Sequence, residues 1–209
     1  MTDTVDDSGV KRRDFIFVAT GAFAGIGALF AAWPFIDQME PTAGVLAAGG
    51  PITVDVSKVE PGQQIVVMWR SKPIFIVNRT PAALKELKDP SLLARLRDPD
   101  SEEMQQPAYA ANWSRSANPE YLVAVGICTH LGCIPDLKFA QGELSPDWPG
   151  GYLCPCHGSK YDLAGRVFQG VPAPLNLPVP PYHFSDAKML VIGENPKGVE
   201  FDLGSVEQL

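Results

Sequence analysis

The hydrophobic pattern divides the chain into one long apolar segment near the N-terminus and a body of short alternating runs. Phe15 to Ile36 forms a stretch of 22 residues without a charge. A helix of that length spans about 33 Å, enough to cross the roughly 30 Å hydrocarbon core of a bilayer. Because backbone groups in lipid must be satisfied within the segment, we predict a transmembrane helix over residues 15–36. A cleaved signal peptide is the alternative, although its apolar region is usually only about 7–15 residues long.

Basic residues immediately precede this apolar segment, in the order Lys11, Arg12 and Arg13. Positive charge before a membrane span places the N-terminus in the cytoplasm and the body outside. Arg12-Arg13, with Phe15 two residues further on, also resembles a twin-arginine export signal, and a plain orientation signal is the alternative. We therefore predict a cytoplasmic N-terminus with a twin-arginine signal over residues 1–14. The chain would be a single-pass protein of the bacterial inner membrane, with its head domain in the periplasm.

Residues 37–50 differ in composition from the segments on either side. Beyond Asp37 they are small and uncharged apart from Glu40, and they end in Gly49-Gly50. Such a composition is typical of a flexible linker, so we predict a flexible tether over residues 37–50. A short helix that continues the apolar segment is the alternative. The head domain would then comprise residues 51–209.

The body of the chain is dominated by runs that predict β-strands. Alternating or β-branched runs occur at 52–59, 63–70, 72–79 and 121–127. Thr80-Pro81 is typical of a helix start, and the leucines that follow predict a helical stretch that ends at Asp98-Pro99. The 20 prolines and 19 glycines favour loops and short strands in the last third of the chain.

The net charge of −7 limits the partners of this chain. An acidic body does not bind nucleic acid non-specifically, since that binding depends on neutralising phosphates with basic side chains. An acidic face could meet a basic partner, or it could simply be solvated.

Two short motifs carry the strongest chemical signal. Residues 128–133, CTHLGC, and residues 154–159, CPCHGS, hold all four cysteines and two of the three histidines. Each motif offers one cysteine and one histidine to a metal, plus a spare cysteine. Two thiolates and two imidazoles suit a 2Fe–2S cluster with one Cys-ligated and one His-ligated iron. The spare pair could form a disulfide in an exported domain. A zinc-stabilised binding module, which needs only four ligands, is the alternative.

The paired motifs are similar to those of Rieske proteins from cytochrome bc and bf complexes. By position, the resemblance implies that the cluster ligands are Cys128, His130, Cys154 and His157. It also implies a disulfide between Cys133 and Cys156, and hydrogen bonds to the sulfurs from Ser159 and Tyr161. The apolar segment, the tether, the VNRT and LRDP segments and a proline-rich loop at 170–174 have counterparts in the family. The resemblance covers nearly the whole chain and is strongest to ubiquinol–cytochrome c reductase subunits of proteobacteria.

The resemblance implies a fold, a cofactor, a function and partners. The fold would be all-β, a Rieske-type antiparallel β-sandwich with an inserted cluster-binding subdomain at about 127–175 and one N-terminal transmembrane helix. One Rieske 2Fe–2S cluster would take an electron from ubiquinol and pass it to a c-type cytochrome, while His157, with His130 nearby, takes the proton. The chain would belong to an oxidoreductase and translocase, within a dimeric complex that contains a cytochrome b subunit and a c-type cytochrome subunit. The small subunit of a membrane or periplasmic molybdenum oxidase is the alternative.

Histidine ligation explains why such a cluster suits quinol oxidation. Neutral imidazoles replace two thiolates, so the cluster carries less negative charge and is easier to reduce. Rieske potentials accordingly run from roughly −150 to +300 mV, against about −400 mV for plant-type clusters with four cysteines.

Two features depart from the family pattern. Val171 is an extra residue before the first proline of the proline-rich loop, so the register of that loop is open. Residues 134–153 form a longer segment than in mitochondrial relatives, and we predict a solvated surface loop there. The third histidine, His183, lies outside both motifs and is expected to be a strand or surface residue rather than a ligand.

Overall fold

The computed structural model of the chain describes residues 12–42, 44 and 49–206. It consists of two compact units, one up to Ala47 and one from Ala48 onward. The first unit contains helix α1 (Arg12–Asp37), none of whose residues is buried. By length and composition α1 could cross a membrane, although a signal sequence near the N-terminus would meet the same criteria. The predicted tether at 37–50 lies partly outside the described residues.

The described residues of the second unit form three antiparallel sheets of three strands each, which confirms the all-β prediction for the head. The first sheet has the order β1-β9-β8, with β1 (Ile52–Asp55), β8 (Tyr182–Asp186) and β9 (Met189–Ile192). The second has the order β2-β3-β4, with β2 (Gln64–Trp69), β3 (Lys72–Asn78) and β4 (Tyr121–Val125). The third has the order β5-β6-β7, with β5 (Asp136–Lys138), β6 (Gly151–Leu153) and β7 (Lys160–Asp162).

Strand β3 explains how the head is layered. Successive side chains of a strand point to opposite faces of the sheet. Ile74 and Ile76 lie in an apolar core shared with the first sheet, whereas Phe75 and Val77 lie in a second core shared with the third sheet. All four side chains are almost completely buried. Burial on both faces accounts for the uninterrupted apolar run, and each such side chain contributes about 1.5–3 kcal/mol relative to exposure.

The predicted helical stretch after Thr80 is two short helices, α2 (Pro81–Glu86) and α3 (Pro90–Leu93). The predicted start is confirmed, since Thr80 Oγ1 accepts from the N–H of Ala83 at 3.2 Å. The predicted continuity is wrong because Pro90 disfavours helical backbone in the residue before it. Asp89 is extended there, with ψ of 125°, and its carboxylate caps α3.

The third sheet lies between β4 and β8 in sequence, as expected for an inserted subdomain. Strands β5 and β6 are joined by the insertion loop, residues 139–150. The prediction of a solvated surface loop over 134–153 is wrong, because that segment contains β5 and β6, and Trp148 between them is only 2% exposed. Its ring stacks on Phe168, with 5.8 Å between the ring centroids.

Candidate metal centre

The two cysteine–histidine motifs form two loops of the same construction. The first loop joins β4 to β5, and the second joins β6 to β7. In the first, the N–H of Cys128 donates to the carbonyl oxygen of Cys133 at 2.7 Å. In the second, the N–H of Cys154 donates to the carbonyl oxygen of Ser159 at 2.7 Å. Each six-residue motif is therefore closed by a bond between its first and last residues.

A glycine at the fifth position makes each loop possible. The N–H of Gly132 donates to the carbonyl oxygen of Cys128, and that of Gly158 to Cys154, both at 3.0 Å. Their φ angles are 81° and 75°, a region that residues with a Cβ rarely adopt. The Gly at this position in both motifs thus reflects a backbone requirement.

A disulfide between Cys133 and Cys156 ties the two loops together, which confirms the predicted bridge. The other two cysteines, Cys128 and Cys154, are free thiols and are buried. The sulfurs of Cys133, Cys154 and Cys156 lie within 4.8 Å of one another. This trio is not a metal site, because two of its sulfurs are bonded to each other.

The two motif histidines lie side by side at the surface. The ring centroids of His130 and His157 are 4.8 Å apart, and the rings are almost perpendicular. His157 is exposed and His130 is half-buried. Nδ1 of His130 is buried and has no hydrogen-bond partner among the described residues, a costly arrangement for a free imidazole and the expected one for a metal ligand. Two buried free thiols and two neighbouring imidazoles, carried by the same two loops, fit the donor set of a Rieske 2Fe–2S cluster.

The surroundings of Cys154 shift the pKa of its thiol in opposite directions. Burial raises the pKa of Cys154, and the backbone N–H groups of Cys156 and His157 oppose that rise. Such N–H groups directed at a sulfur favour its thiolate form, which is the form that binds metal.

Tyr161 on β7 is fully buried and contacts the first motif. Its phenolic oxygen lies 3.3 Å from Sγ of Cys128 and accepts from the N–H of Thr129 at 3.1 Å. Thr129 Oγ1 donates to the carbonyl oxygen of Leu175 at 2.7 Å, which fixes that side chain as well. Burial raises the pKa of Tyr161, so the phenol keeps the proton that it can donate to sulfur.

Ser159 is buried and connects the second motif to the proline lid, as we call residues 170–174. Its Oγ accepts from the N–H of Ala173 at 3.0 Å. That contact uses an oxygen lone pair and leaves the hydroxyl proton available to donate. Ala173 lies in the same apolar core as Cys128 and Cys154, with Val171 packed against it. The lid thus lies beside the thiols in the same core.

A buried charge network behind Tyr161 was not predicted. Asp162 and Arg166 form an ion pair of 2.7 Å with both side chains inaccessible to solvent. Arg79 of the VNRT segment donates to the carbonyl oxygen of Leu163 at 3.1 Å, and desolvation lowers the pKa of Arg79 to about 10. The available sequence signal was the order Asp-Leu-Ala-Gly-Arg, a turn with opposite charges at its ends. The network fixes the turn that follows β7.

His183 is in strand β8, as expected for a residue outside the motifs. Its Nδ1 lies 3.4 Å from the carbonyl oxygen of Glu194.

Comparisons with known proteins agree with this geometry. The family model "Rieske [2Fe-2S] domain" matches residues 96–181, and the model "Ubiquitinol-cytochrome C reductase Fe-S subunit TAT signal" matches residues 2–42. The ubiquinol–cytochrome c reductase iron–sulfur subunit of Bradyrhizobium diazoefficiens is 49% identical over 192 residues, which is 91% of this chain and 99% of that protein. The protein of the same name from Allochromatium vinosum is 47% identical over 188 residues, 88% of this chain and 89% of that protein.

A solved structure described as hyperthermophilic respiratory complex III is 28% identical. The alignment covers 84% of this chain and 98% of that chain, with a TM-score of 0.46.

The relatives decide between the alternatives that the sequence left open. The relatives from Bradyrhizobium diazoefficiens and Allochromatium vinosum are iron–sulfur subunits of ubiquinol–cytochrome c reductase, so a molybdenum oxidase subunit is not favoured. The Rieske domain model and the donor set identify the cofactor as one 2Fe–2S cluster rather than zinc. The chain belongs to the family of Rieske iron–sulfur subunits of ubiquinol–cytochrome c reductase.

Proposed function

We propose that this chain is the electron-transfer subunit of a quinol–cytochrome c oxidoreductase. It would take one electron and one proton from ubiquinol and pass the electron to a c-type cytochrome. The observation that carries the proposal is the pair of neighbouring imidazoles at the surface, on the same two loops that carry two free, buried thiols. The names of the relatives support the same function.

The ligands of the cluster in this proposal are the two free thiols and the two motif imidazoles. Cys128 and Cys154 would bind one iron, and His130 and His157 the other. The unpartnered Nδ1 of His130 and the involvement of the remaining cysteines in a disulfide support this assignment. When bound, the cluster supplies a one-electron acceptor of high potential.

His157 is the residue that we propose meets the quinol. It is the more exposed of the two imidazoles, so its ring nitrogen that is not bound to metal can accept a hydrogen bond from a quinol hydroxyl. The same nitrogen then takes the proton of that hydroxyl, while His130 lies beside it. Leu131 within the first motif is 71% exposed, and Ile134 directly after that motif is 55% exposed. These apolar side chains suit contact with an apolar ring or with a membrane-embedded cytochrome b subunit.

The location in this proposal is the bacterial inner membrane, with α1 as a single span and the head in the periplasm. The apolar α1, the Arg12-Arg13 pair and the export-signal family at residues 2–42 support it. The disulfide also suits an oxidising compartment. The tether at 37–50 would let the head reach both a cytochrome b subunit and a c-type cytochrome subunit within a dimeric complex.

Purification of the tagged full-length chain from its native membrane tests this function. We expect b-type and c-type haems to copurify, and a quinol-site inhibitor to change the electron paramagnetic resonance spectrum of the reduced cluster. Copurification with a molybdenum enzyme, or a spectrum insensitive to the inhibitor in a complex that contains both haems, would contradict the proposal.

A further inference from the structure

The two features that depart from the family pattern meet in one apolar cluster. Trp148 of the insertion loop and Phe168 are members of this cluster, and Leu144 and Val171 pack against it. We propose that the insertion loop is a brace that holds the proline lid in place over the metal centre, with Trp148 as its positioning residue. The proposal rests on the ligand set proposed above.

Trp148 fixes the insertion loop from within. Its indole stacks on Phe168 with an angle of 23° between the rings. Its Nε1 donates to the carbonyl oxygen of Lys138 at 2.9 Å, which ties the end of the loop to its beginning at β5. The loop therefore has a defined conformation with one large ring directed at the segment that precedes the lid.

Arg95 joins the same assembly from outside the loop. It donates to the backbone carbonyl of Asp147 at 2.8 Å and forms an ion pair of 2.9 Å with the carboxylate of that residue. The guanidinium carbon also lies 5.2 Å from the ring centroid of Phe168. Two consecutive residues of the loop, Asp147 and Trp148, thus hold Arg95 and Phe168 together.

Hydrogen bonds hold the residue directly before the lid to Arg95 and Leu96. The backbone N–H of Gln169 donates to the carbonyl oxygen of Arg95 at 2.8 Å, and Nε2 of Gln169 donates to the carbonyl oxygen of Leu96 at 2.9 Å. The lid begins at the next residue, Gly170. At its other end, Ala173 is held by Ser159 of the second motif.

Val171 connects the brace to the metal centre. It packs against the cluster that contains Trp148 and also against the core that contains Cys128 and Cys154. The two prolines of the lid have no N–H group, so they cannot be held by backbone donation. The position of the lid depends correspondingly more on side-chain packing, and the brace supplies that packing at the lid's N-terminal end.

Amide hydrogen exchange of Gln169 and Ala173 tests the brace, in full-length, cluster-loaded protein purified in detergent. The N–H of Gln169 donates to the carbonyl oxygen of Arg95 and that of Ala173 to Oγ of Ser159, and we call the exchange of these two amides lid exchange. In a W148A variant we expect exchange at these two amides to be about tenfold faster, because truncation removes the ring that holds Phe168. Exchange in strands β1 and β9 should stay unchanged. A W148F variant, which keeps an aromatic ring, should restore exchange to within about twofold of the unsubstituted protein.

A milder variant keeps the test decisive if W148A does not fold. The D147N variant removes only the charge of a partly exposed ion pair, and we expect exchange about two- to threefold faster in the lid alone. Unchanged lid exchange in folded W148A, or in D147N if W148A cannot be obtained, would overturn the brace. The paramagnetic spectrum of the same samples distinguishes failure of the ligand set from failure of the brace. A spectrum without histidine ligation refutes the ligand set. Unchanged lid exchange in a sample with a Rieske spectrum refutes only the brace.

Discussion

The hydroxyl group of Tyr161 is aimed at the sulfur of Cys128, with 3.3 Å between the two atoms. The N–H of Thr129 donates to the phenolic oxygen and thereby fixes its position. A hydrogen bond to a sulfur ligand strengthens when negative charge increases at the metal, so it stabilises the reduced state more than the oxidised state.

We predict that a Y161F variant has a lower reduction potential. If the hydrogen bond stabilises the reduced state by about 1 kcal/mol more than the oxidised state, its loss lowers the potential by about 40 mV for one electron. Redox titration of the cluster's spectrum measures this shift. Tyr152 provides a matched control, because it pairs with Tyr161 across the sheet and its hydroxyl donates to Gln64 instead of a sulfur. An equal shift in Y152F would contradict the direct role of the Tyr161 hydroxyl.

Loss of the disulfide should destabilise the head domain. Cys133 and Cys156 are 23 residues apart, and closure of a loop of that length contributes about 3 kcal/mol to stability. We expect a C133A/C156A double variant to unfold at lower denaturant concentration by about that free energy. The single variant C133A should behave like the double variant, since either change removes the bond. Unchanged unfolding midpoints would refute a stabilising role.

The buried ion pair should contribute far more than the exposed one. A D162N variant leaves the Arg166 guanidinium unpaired in the interior, which costs about 3–5 kcal/mol. Denaturant unfolding followed by tryptophan fluorescence measures this loss. The matched control is D147N, whose carboxylate is largely exposed and whose midpoint should hardly change. Similar losses in both variants would show that burial of the pair does not matter.

A stiff tether should slow turnover without affecting the cluster. We predict that replacing residues 43–48 with prolines leaves the paramagnetic spectrum unchanged but lowers quinol–cytochrome c reductase activity, because a polyproline segment is extended and semi-rigid. A glycine–serine replacement of the same length should retain activity. Normal turnover in the proline variant would refute the need for a flexible tether.

The Arg12-Arg13 pair should be required for export. Because the twin-arginine route reads the arginines themselves and not only their charge, an R12K/R13K variant should leave the head in the cytoplasm. Protease added to spheroplasts then fails to cleave the head. A K11R variant keeps the pair and should be exported normally. Normal export of R12K/R13K would favour a plain orientation signal.

The parts of the site that sequence could predict are those encoded by residue type and local spacing. The spacing of the two motifs and their resemblance to Rieske motifs were sufficient to pair Cys133 with Cys156, and β-branched runs were sufficient for β2, β3 and β4. The break at Pro90 was also encoded locally, but the leucine pattern obscured it.

The remaining features depend on contacts between distant residues. Arg79 is buried because the carbonyl oxygen of Leu163, 84 residues away, accepts from its guanidinium. Trp148 is buried because Phe168 offers its ring, and residues 139–150 have no periodicity that could indicate an inward side chain. A burial partner that is supplied only by the tertiary fold leaves no trace in the local pattern.

Pulsed electron paramagnetic resonance of the reduced protein with ¹⁵N-labelled histidine tests the ligand set most directly. The chain has three histidines, and we predict strong magnetic coupling to two of them, unchanged in an H183Q variant and lost when either His130 or His157 is replaced. A spectrum without histidine coupling, or any loss of coupling in H183Q, would contradict two-histidine ligation by His130 and His157.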